Sequence, residues 1–363
     1  MMDYAVIMAG GTGKRLWPLS RKKRPKQVLK LLEGQTLLER CFDRLVPLFD
    51  ARNIIVLTNA GYVDVVRESL PELPINNVIA EPAVRDTAGA IGLAATVIAK
   101  YDRDATMTVV TADQVIQPAE ALQQAIRDAL TFVNQNPGDI VTFGIKPTFA
   151  STMLGYIKCG GTRKCPGSQN KIFSVEAFKE KPDEMTAKEY LAGGDYLWNA
   201  GMFVWKAKTI LAQLGQFLPE ATEPLLKIQA DWGSPSQQLT LQEWFPKLPQ
   251  ISIDFAVMEK ADNVHAVKLD CHWLDMGSFA ALADIITRDE DGNIVVAGTS
   301  ELLDCKDSII VTEDKGHLIA AIGLKDMVVA HSSDATLVCH IDQTQRLKDL
   351  LELIKRRGGE KFL

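Results

Sequence analysis

The stretch that decides the fold is YAVIMAGGTGKRLWPLS, residues 4–20. Its first six residues form a short apolar run that stops at Gly10 and Gly11. A run that is apolar on both faces predicts a strand buried inside a parallel sheet. Glycines directly after such a strand let the backbone turn tightly and bring N–H groups onto an anion. The stretch therefore predicts a loop for an anionic ligand at the end of the first strand.

Apolar runs of the same kind alternate with helical patterns through the first 145 residues. The further runs cover residues 53–58, 77–80, 107–110 and 140–144, and the helical patterns cover residues 36–49, 63–70, 87–100 and 120–133. Buried strands with helices between them predict an α/β fold with a mostly parallel sheet and right-handed crossovers. In such sheets ligands bind at the edge where the strands end.

Composition and charge exclude several classes of protein. The 363 residues suggest about two domains. Lys and Arg number 40 against 46 Asp and Glu, so the net charge of −6 gives no electrostatic footprint for nucleic acid. The apolar stretch at residues 90–99 is too short to cross a bilayer, and the N-terminus lacks a signal-peptide pattern. Six cysteines without a Cys-x-x-Cys spacing indicate a reduced compartment. We therefore expect a cytoplasmic protein that binds neither nucleic acid nor membrane.

The C-terminal fifth of the chain has a different pattern. A polar stretch at residues 288–293 predicts a boundary between a domain of residues 1–287 and one of residues 288–363. Short β-type runs follow at residues 294–297, 308–311, 318–322, 327–330 and 336–339. Hairpins or the turns of an irregular β-solenoid would both give this spacing. The chain then closes with an amphipathic helix. Its apolar stripe is Leu347, Leu350, Leu351 and Ile354.

The glycine-rich loop does not match two common phosphate loops. A Walker A loop needs Ser or Thr after its Lys, but Arg15 follows Lys14, and a dinucleotide fingerprint needs a third glycine where Leu16 stands. A short distance on, Pro25-Lys26-Gln27 adds another cation. Arg15 and Lys26 together could hold the charged tail of a nucleotide.

With these motifs the chain resembles the sugar-1-phosphate nucleotidylyltransferase family, and within it the mannose-1-phosphate guanylyltransferases. The resemblance covers nearly the whole chain. The family carries a Gly-Gly-x-Gly-Thr-Arg-Leu-Trp-Pro-Leu-Ser-Arg loop followed by Pro-Lys-Gln, and Lys14 replaces its Thr here. The resemblance implies a Rossmann-like, GT-A-like catalytic domain and a left-handed β-helix at the C-terminus that helps form a homodimer.

The resemblance also implies the nucleotide site. The nucleotide-binding residues would be Gly10, Gly11, Thr12, Gly13, Lys14, Glu81, Thr87 and Ala88. Glu81 opens a Glu-Pro-x-x-Arg segment that lies by the base in the family. A carboxylate accepts two hydrogen bonds side by side, and guanine offers two adjacent N–H groups. Without that context, Glu81 is a solvated strand end and Asp86 or Thr87 caps the next helix.

Two further segments resemble the family's metal ligands. Asp113 follows a buried strand in a segment like Pro-Ala-Asp-His, although Thr111 and Gln114 depart from that pattern. Asp275 lies in a segment like Trp-x-Asp-Val-Gly-Ser-Trp. Two carboxylates together with phosphate oxygens suit Mg²⁺. Without the family context, aspartates after strands are more often turn or cap residues.

The sugar site is implied by three more segments. Its residues would be Gly155, Glu180, Lys181 and Asn199, with Glu180 accepting from sugar hydroxyls and Lys181 holding the sugar phosphate. As bare sequence, residues 178–182 are a charged loop. The segment IDFAVME at residues 253–259 is also typical of the family, and we expect its apolar residues in the core.

The implied reaction joins GTP and α-mannose 1-phosphate to give GDP-mannose and pyrophosphate. The resemblance assigns catalytic roles to Arg15, Lys26 and Lys181, with Mg²⁺ as the cofactor. Two alternatives remain open at this stage. One is a nucleotidylyltransferase for another sugar or base. The other is a catalytically silent regulatory homologue, which should lack phosphate-binding cations or metal carboxylates.

Overall fold

A computed structural model describes residues 2–11, 13–32, 34–314 and 316–363. The strands are β1 Asp3–Met8, β2 Ile54–Asn59, β3 Val78–Glu81, β4 Thr106–Thr111, β5 Gln114–Gln117, β6 Ile140–Ile145, β7 Tyr156–Arg163, β8 Ile172–Lys179, β9 Tyr196–Lys206, β10 Val264–Leu269, β11 His272–Asp275, β12 Ile294–Val296, β13 Thr299–Leu303, β14 Ile309–Thr312, β15 Leu318–Ile322, β16 Met327–Ser332 and β17 Ala335–His340. The α-helices are α1 Leu37–Leu45, α2 Val63–Ser69, α3 Asp86–Tyr101, α4 Ala119–Gln135, α5 Glu184–Gly193, α6 Ala207–Phe217, α7 Thr222–Asp231, α8 Gln237–Trp244 and α9 Leu347–Arg356. Among the described residues, none of these helices combines the length and apolarity needed to cross a bilayer.

The main sheet has nine strands in the order β3-β2-β1-β4-β9-β6-β10-β8-β7. Its first four strands pair in parallel, as the sequence predicts. Strand β9 then inserts antiparallel between β4 and β6, and β8 and β7 add antiparallel pairs at the far edge. The sheet is therefore mixed but parallel where the first strand lies, which confirms the predicted Rossmann-like α/β class.

Helices cover both faces of this sheet. Buried side chains of α1, α2 and α4 form the core on one face, and those of α3, α6 and α7 form the core on the other. Helix α1 begins with a capping box, in which Thr36 and Glu39 each accept from the other's backbone N–H. The sequence predicted this helix as far as residue 49, but it ends at Leu45, two residues before Pro47, which has no N–H with which to continue it.

The C-terminal strands form a β-helix-like stack, which decides between the two interpretations of their spacing. Strands β12, β14 and β16 pair in parallel, and so do β13 and β15. The stacked positions Ile294, Ile309 and Val328 are all buried. Parallel pairing excludes hairpins there, although β16 and β17 do form an antiparallel pair.

This C-terminal domain packs on the glycine-rich loop. Leu16, Trp17 and Leu19 share one buried core with Leu347 and Leu351 of α9. The Trp17 indole N–H also donates to the Phe362 carbonyl at 2.6 Å. Within the predicted apolar stripe of α9, Leu350 proves to be exposed, because only the side of the helix that carries residues 347 and 351 faces this core.

Candidate active site

The glycine-rich loop packs closely against Lys26, which lies further along the chain. Gly13 has a left-handed backbone with φ 64°, and a side chain there would place its Cβ 2.6 Å from Lys26 Cβ. Glycine is therefore required both by conformation and by space. The Ser20 hydroxyl donates to the Gly13 carbonyl at 2.6 Å and fixes the turn. Thr12 lies outside the described residues, and Lys14 is exposed.

At the centre of the site, one ammonium group faces two carboxylates. Lys26 Nζ lies 2.7 Å from Asp113 Oδ2 and 3.8 Å from Asp275 Oδ1. Burial lowers the pKa of Lys26, but the two carboxylates outweigh it and hold that pKa above its ordinary value. Burial and the Asp113 carboxylate raise the pKa of Asp275. Two carboxylates that share a site repel each other as anions, and a cation between them stabilises both charges.

Pairing of two short strands brings the two aspartates together although they are far apart in the chain. Strands β5 and β11 pair antiparallel, with Asp275 opposite Gln114. The Met276 N–H donates to the Asp113 carbonyl at 3.1 Å and continues the ladder. Asp113 and Asp275 are therefore held by backbone hydrogen bonds on adjacent strands.

Gln114, which departs from the family pattern, has a structural role. Its side chain is buried and donates to the Ala200 carbonyl at 2.6 Å. The Trp273 indole N–H donates to Gln114 Oε1 at 3.0 Å. Gln114 thus ties β9 and β11 to the strand that follows Asp113. No local pattern indicates this bridge, because its partners lie about 90 and 160 residues away.

Glu81 ends β3 beside the glycine-rich loop. Its Oε2 lies 3.6 Å from the position that a Cβ would take at Gly10. The side chain is 9% exposed, and burial raises its pKa to about 7. Gln27 is buried nearby against Gly11, and its Oε1 has no hydrogen-bond partner among the described residues. This orphaned acceptor was not singled out by the sequence analysis.

The start of α3 is tied to a neighbouring segment of the chain. The helix begins at Asp86, which has φ 57° and accepts from the Thr87 N–H through its Oδ1 at 2.7 Å, so Asp86 satisfies one N–H of the first turn. Thr87 does not cap the helix, because the Ile253 N–H donates to its hydroxyl at 2.8 Å, and the Ala88 N–H donates to the Ile251 carbonyl at 3.2 Å. These contacts engage the Thr87 hydroxyl and the Ala88 amide, so base contacts at both positions stay a prediction.

The predicted sugar residues lie together: Gly155 directly before β7, Glu180 and Lys181 directly after β8, and Asn199 within β9. A side chain at Gly155 would bring its Cβ within 2.5 Å of Glu180 Oε2, so only glycine lets Glu180 approach. The Asn199 N–H donates to the Gly155 carbonyl at 2.8 Å. Lys181 has a left-handed backbone with φ 43°, and its Nζ lies 2.5 Å from Glu180 Oε1. Lys181 is more than half exposed, so its amino group can reach a ligand.

Asp254 joins this group, although the sequence analysis did not select it. Its Oδ1 accepts from the Asn199 amide at 3.0 Å. Burial, reinforced by the Glu180 carboxylate, raises its pKa to about 6. Of the apolar residues in this segment, Ile253, Ala256, Val257 and Met258 are buried as expected, but Phe255 is 47% exposed. The segment is a single π-helical turn, which turns Phe255 away from the core.

A cavity of about 590 Å³ adjoins the carboxylate pair. Arg15 and Asp275 line it, and the aromatic rings of Trp198 and Trp273 form part of its wall. Residues of the C-terminal domain close another side, among them Lys348. The C-terminal domain therefore contributes to the surroundings of the site as well as to packing.

The arrangement suits the handling of phosphates. Three cations lie close enough to Asp275 to stabilise its negative charge. They come from three parts of the chain and are Arg15, Lys26 and Lys181. Two carboxylates offer hard oxygen ligands of the kind that Mg²⁺ takes in phosphate-transfer sites. No Ser-His or Cys-His pair is found among these residues.

Comparison with known protein families matches the chain in two parts. Residues 4–292 match the nucleotidyl transferase family, and residues 298–354 match a mannose-phosphate isomerase/GMP-like β-helix domain. The first match covers the main sheet and the site described above.

Known relatives match almost the whole chain. A mannose-1-phosphate guanylyltransferase of Klebsiella pneumoniae is 38% identical over 99% of this chain and 76% of that protein. One from Salmonella typhimurium is 36% identical over 100% of this chain and 74% of that protein. The crystal structure of a mannose-1-phosphate geranyltransferase from Thermus thermophilus superposes with a TM-score of 0.86 at 33% identity, covering 98% of this chain and 100% of that chain.

Proposed function

The chain belongs to the nucleotidyl transferase family, and from that premise we propose that it transfers GMP from GTP to α-D-mannose 1-phosphate, giving GDP-mannose and pyrophosphate. The observation that carries the proposal is the contact of the Lys26 ammonium group with the carboxylates of Asp113 and Asp275, beside the glycine-rich loop. Relatives named mannose-1-phosphate guanylyltransferase support the choice of sugar and base.

The proposed chemistry needs no general base. The second pKa of a phosphate monoester is about 6, so the sugar phosphate is largely dianionic near neutrality and attacks the α-phosphorus of GTP directly. The task of the protein is to bring two polyanions together and to stabilise charge. A site of cations and carboxylates fits that task.

The chain's own cations divide this task. Arg15 and Lys26 stabilise the departing pyrophosphate, and Lys181 orients the phosphate of the sugar. Asp113 and Asp275 would hold Mg²⁺, which when bound would supply charge neutralisation to the reacting phosphates. Lys26 contacts the same two carboxylates, so its ammonium group is held within reach of phosphates that would bind there.

Two carboxylates select the substrates: Glu81, which is buried, and Glu180, which is largely buried. Glu81 accepts from the paired N–H groups of guanine, and the raised pKa of its carboxyl falls when those donors bind. Glu180 accepts from the sugar hydroxyls, with Asp254 and Asn199 beside it. Glu81 thus recognises the guanine end of GDP-mannose, and Glu180 recognises the mannose end.

A substrate panel tests the proposal. Pyrophosphate release is measured with Mg²⁺ for the four common nucleoside triphosphates against several sugar 1-phosphates. The proposal expects GTP with mannose 1-phosphate to give the highest kcat/KM. A higher value for another pair would assign another sugar or base, and no release with any pair would favour a regulatory homologue.

A further inference from the structure

A second cluster of ligand-type side chains lies on the β-helix-like domain, outside the candidate active site. Asp314, His317 and His331 each bring one side-chain ligand atom within 4.8 Å of the other two. The two imidazole rings stack, with centroids 3.7 Å apart and planes inclined by 12°. None of these residues has a role in the proposed reaction.

The backbone brings the three residues together. His331 on β16 lies opposite Thr312 on β14, at the end of the parallel pair. The Thr312 hydroxyl accepts from the Asp314 N–H at 3.1 Å, and the Asp314 carbonyl accepts from the His317 N–H at 3.2 Å. The turn after β14 is thereby folded toward the end of β16.

One of the two histidines is oriented by a neighbour. Thr336 on β17 pairs with His331 in the antiparallel register, and its hydroxyl lies 2.9 Å from His331 Nδ1. A hydrogen bond at one ring nitrogen fixes the orientation of the imidazole and directs the other nitrogen to a ligand. Here Nε2 is that second nitrogen. The contact is the type of supporting bond that metal-binding histidines have.

We propose that Asp314, His317 and His331 bind a transition-metal ion such as Zn²⁺, with water completing the coordination. Two imidazoles and one carboxylate are the ligands that Zn²⁺ accepts, whereas Mg²⁺ prefers oxygen alone. Zn–N distances of about 2.0–2.1 Å require the ligand atoms to close to roughly 3.3 Å. Asp314 is exposed and His317 is partly exposed, so the His317 ring can turn out of its stack with His331 and direct a nitrogen to the same ion.

The position of the site gives it a structural consequence. Glu313, the residue before Asp314, accepts from the Lys30 N–H at 2.7 Å and pairs with Arg24 at 2.5 Å. Arg24 and Lys30 flank the turn that carries Lys26. A metal ion at the cluster would therefore stabilise the junction between the C-terminal domain and this turn, and would raise the thermal unfolding midpoint.

Calorimetric titration of Zn²⁺ into the full-length, metal-stripped protein tests the proposal. Excess Mg²⁺ is present so that Asp113 and Asp275 do not compete for the probe. We expect one site, at least tenfold weaker in His317→Ala and in His331→Ala. Thr336→Val, which keeps the shape but loses the hydroxyl, should weaken binding by about tenfold.

His340→Ala is the matched control, because His340 is an exposed histidine on β17 outside the cluster. It should bind Zn²⁺ like the unaltered chain. Asp314→Asn replaces an exposed carboxylate without loss of volume and serves as a variant that folds normally. Equal affinity for Zn²⁺ in the unaltered chain, His317→Ala and Asp314→Asn, or no binding to the unaltered chain, would overturn the proposal.

Discussion

Lys26 Nζ lies 2.7 Å from Asp113 Oδ2, although Lys26 begins a short 3-10 helix and Asp113 lies between β4 and β5. The pair is largely buried, with 12% and 25% of the two side chains exposed. Removing one partner of such a pair leaves an uncompensated charge. The contact therefore links the turn after the glycine-rich loop to the carboxylate edge, where the proposed reaction takes place.

Replacing either aspartate should disable the proposed metal site. Asp113→Asn and Asp275→Asn should each raise the Mg²⁺ concentration needed for half-maximal rate and slow turnover, because each removes one anionic ligand. Initial rates across a Mg²⁺ titration measure this. Asp64→Asn, at an exposed position on α2, is the control and should behave as the unaltered chain. Full activity of both variants at limiting Mg²⁺ would show that the metal lies elsewhere.

Lys181→Ala should act on the sugar side alone. Its amino group is exposed beside Glu180, so its loss should raise KM for mannose 1-phosphate and leave the Kd for GTP nearly unchanged. Steady-state kinetics and GTP binding by calorimetry separate the two effects. Lys179→Ala removes an exposed cation two residues away and provides the comparison. Unchanged kinetics for mannose 1-phosphate would remove Lys181 from the site.

Glu81→Gln should weaken the preference for GTP over other nucleotides. The substitution keeps the shape but turns one acceptor into a donor, which would confront a guanine N–H. In the unaltered chain, GTP binding near pH 6.5 should release a proton, measurable by calorimetry in buffers of different ionisation enthalpy. Glu72→Gln, on the surface, is the control. If the variant kept the full preference for GTP, backbone groups near Thr87 and Ala88 would recognise the base instead.

The same substitution should change stability in alkaline solution. Burial raises the pKa of Glu81 from about 4.5 to about 7, so the folded chain holds this proton more tightly than the unfolded chain. Its stabilisation is full below pH 4.5 and is lost as pH rises through 7. At pH 8, Glu81→Gln should therefore exceed the unaltered chain in free energy of unfolding by on the order of 3 kcal/mol, at about 1.4 kcal/mol per pKa unit. Equal denaturation curves of Glu81→Gln and the unaltered chain at pH 8 would show that ionisation of Glu81 does not destabilise the fold.

Asp254→Asn should weaken sugar recognition while keeping the fold. The amide oxygen can still accept from Asn199, but the charge beside Glu180 is lost. The pKa of about 6 predicts that KM for mannose 1-phosphate changes between pH 5 and 7 in the unaltered chain and much less in the variant. Kinetics over that pH range provide the measurement. Identical pH profiles would exclude Asp254 from sugar binding.

Truncation after Asn293 should expose the apolar side of the glycine-rich loop. Leu16, Trp17 and Leu19 would lose the core that they share with the β-helix-like domain. We expect aggregation or a monomer in light scattering, with activity lost through instability. A truncated chain that is fully active and unchanged in oligomeric state would show that this domain serves neither packing nor assembly.

Local patterns were sufficient for the first half of the fold. The helices α2, α3 and α4 and the parallel strands agree with the sequence prediction to within about two residues, because buried runs and helical periods are local signals. The antiparallel insertion of β9 was not predicted, since strand order depends on contacts between distant segments. The extra strand β13 was missed because none of its residues is buried and its sequence shows no apolar alternation.

The candidate site divides in the same way. The motifs identified Asp113, Asp275 and Lys181 because each lies at a strand end or in a short charged segment. Asp254 was missed because it lies within an apolar run. Only its hydrogen bond with Asn199 and its closeness to Glu180 place it in the candidate site. The bridge made by Gln114 was missed for the same physical reason, since it joins three distant strands.

Label transfer from GTP tests the central claim most directly. The chain is incubated with Mg²⁺, mannose 1-phosphate and GTP labelled in either its α- or its γ-phosphate, and the products are separated. The account predicts that the α-label appears in GDP-mannose and the γ-label in pyrophosphate, in equal amounts. An α-label that stays in GTP, or that is released as free GMP or GDP, would contradict transfer of GMP to the sugar phosphate.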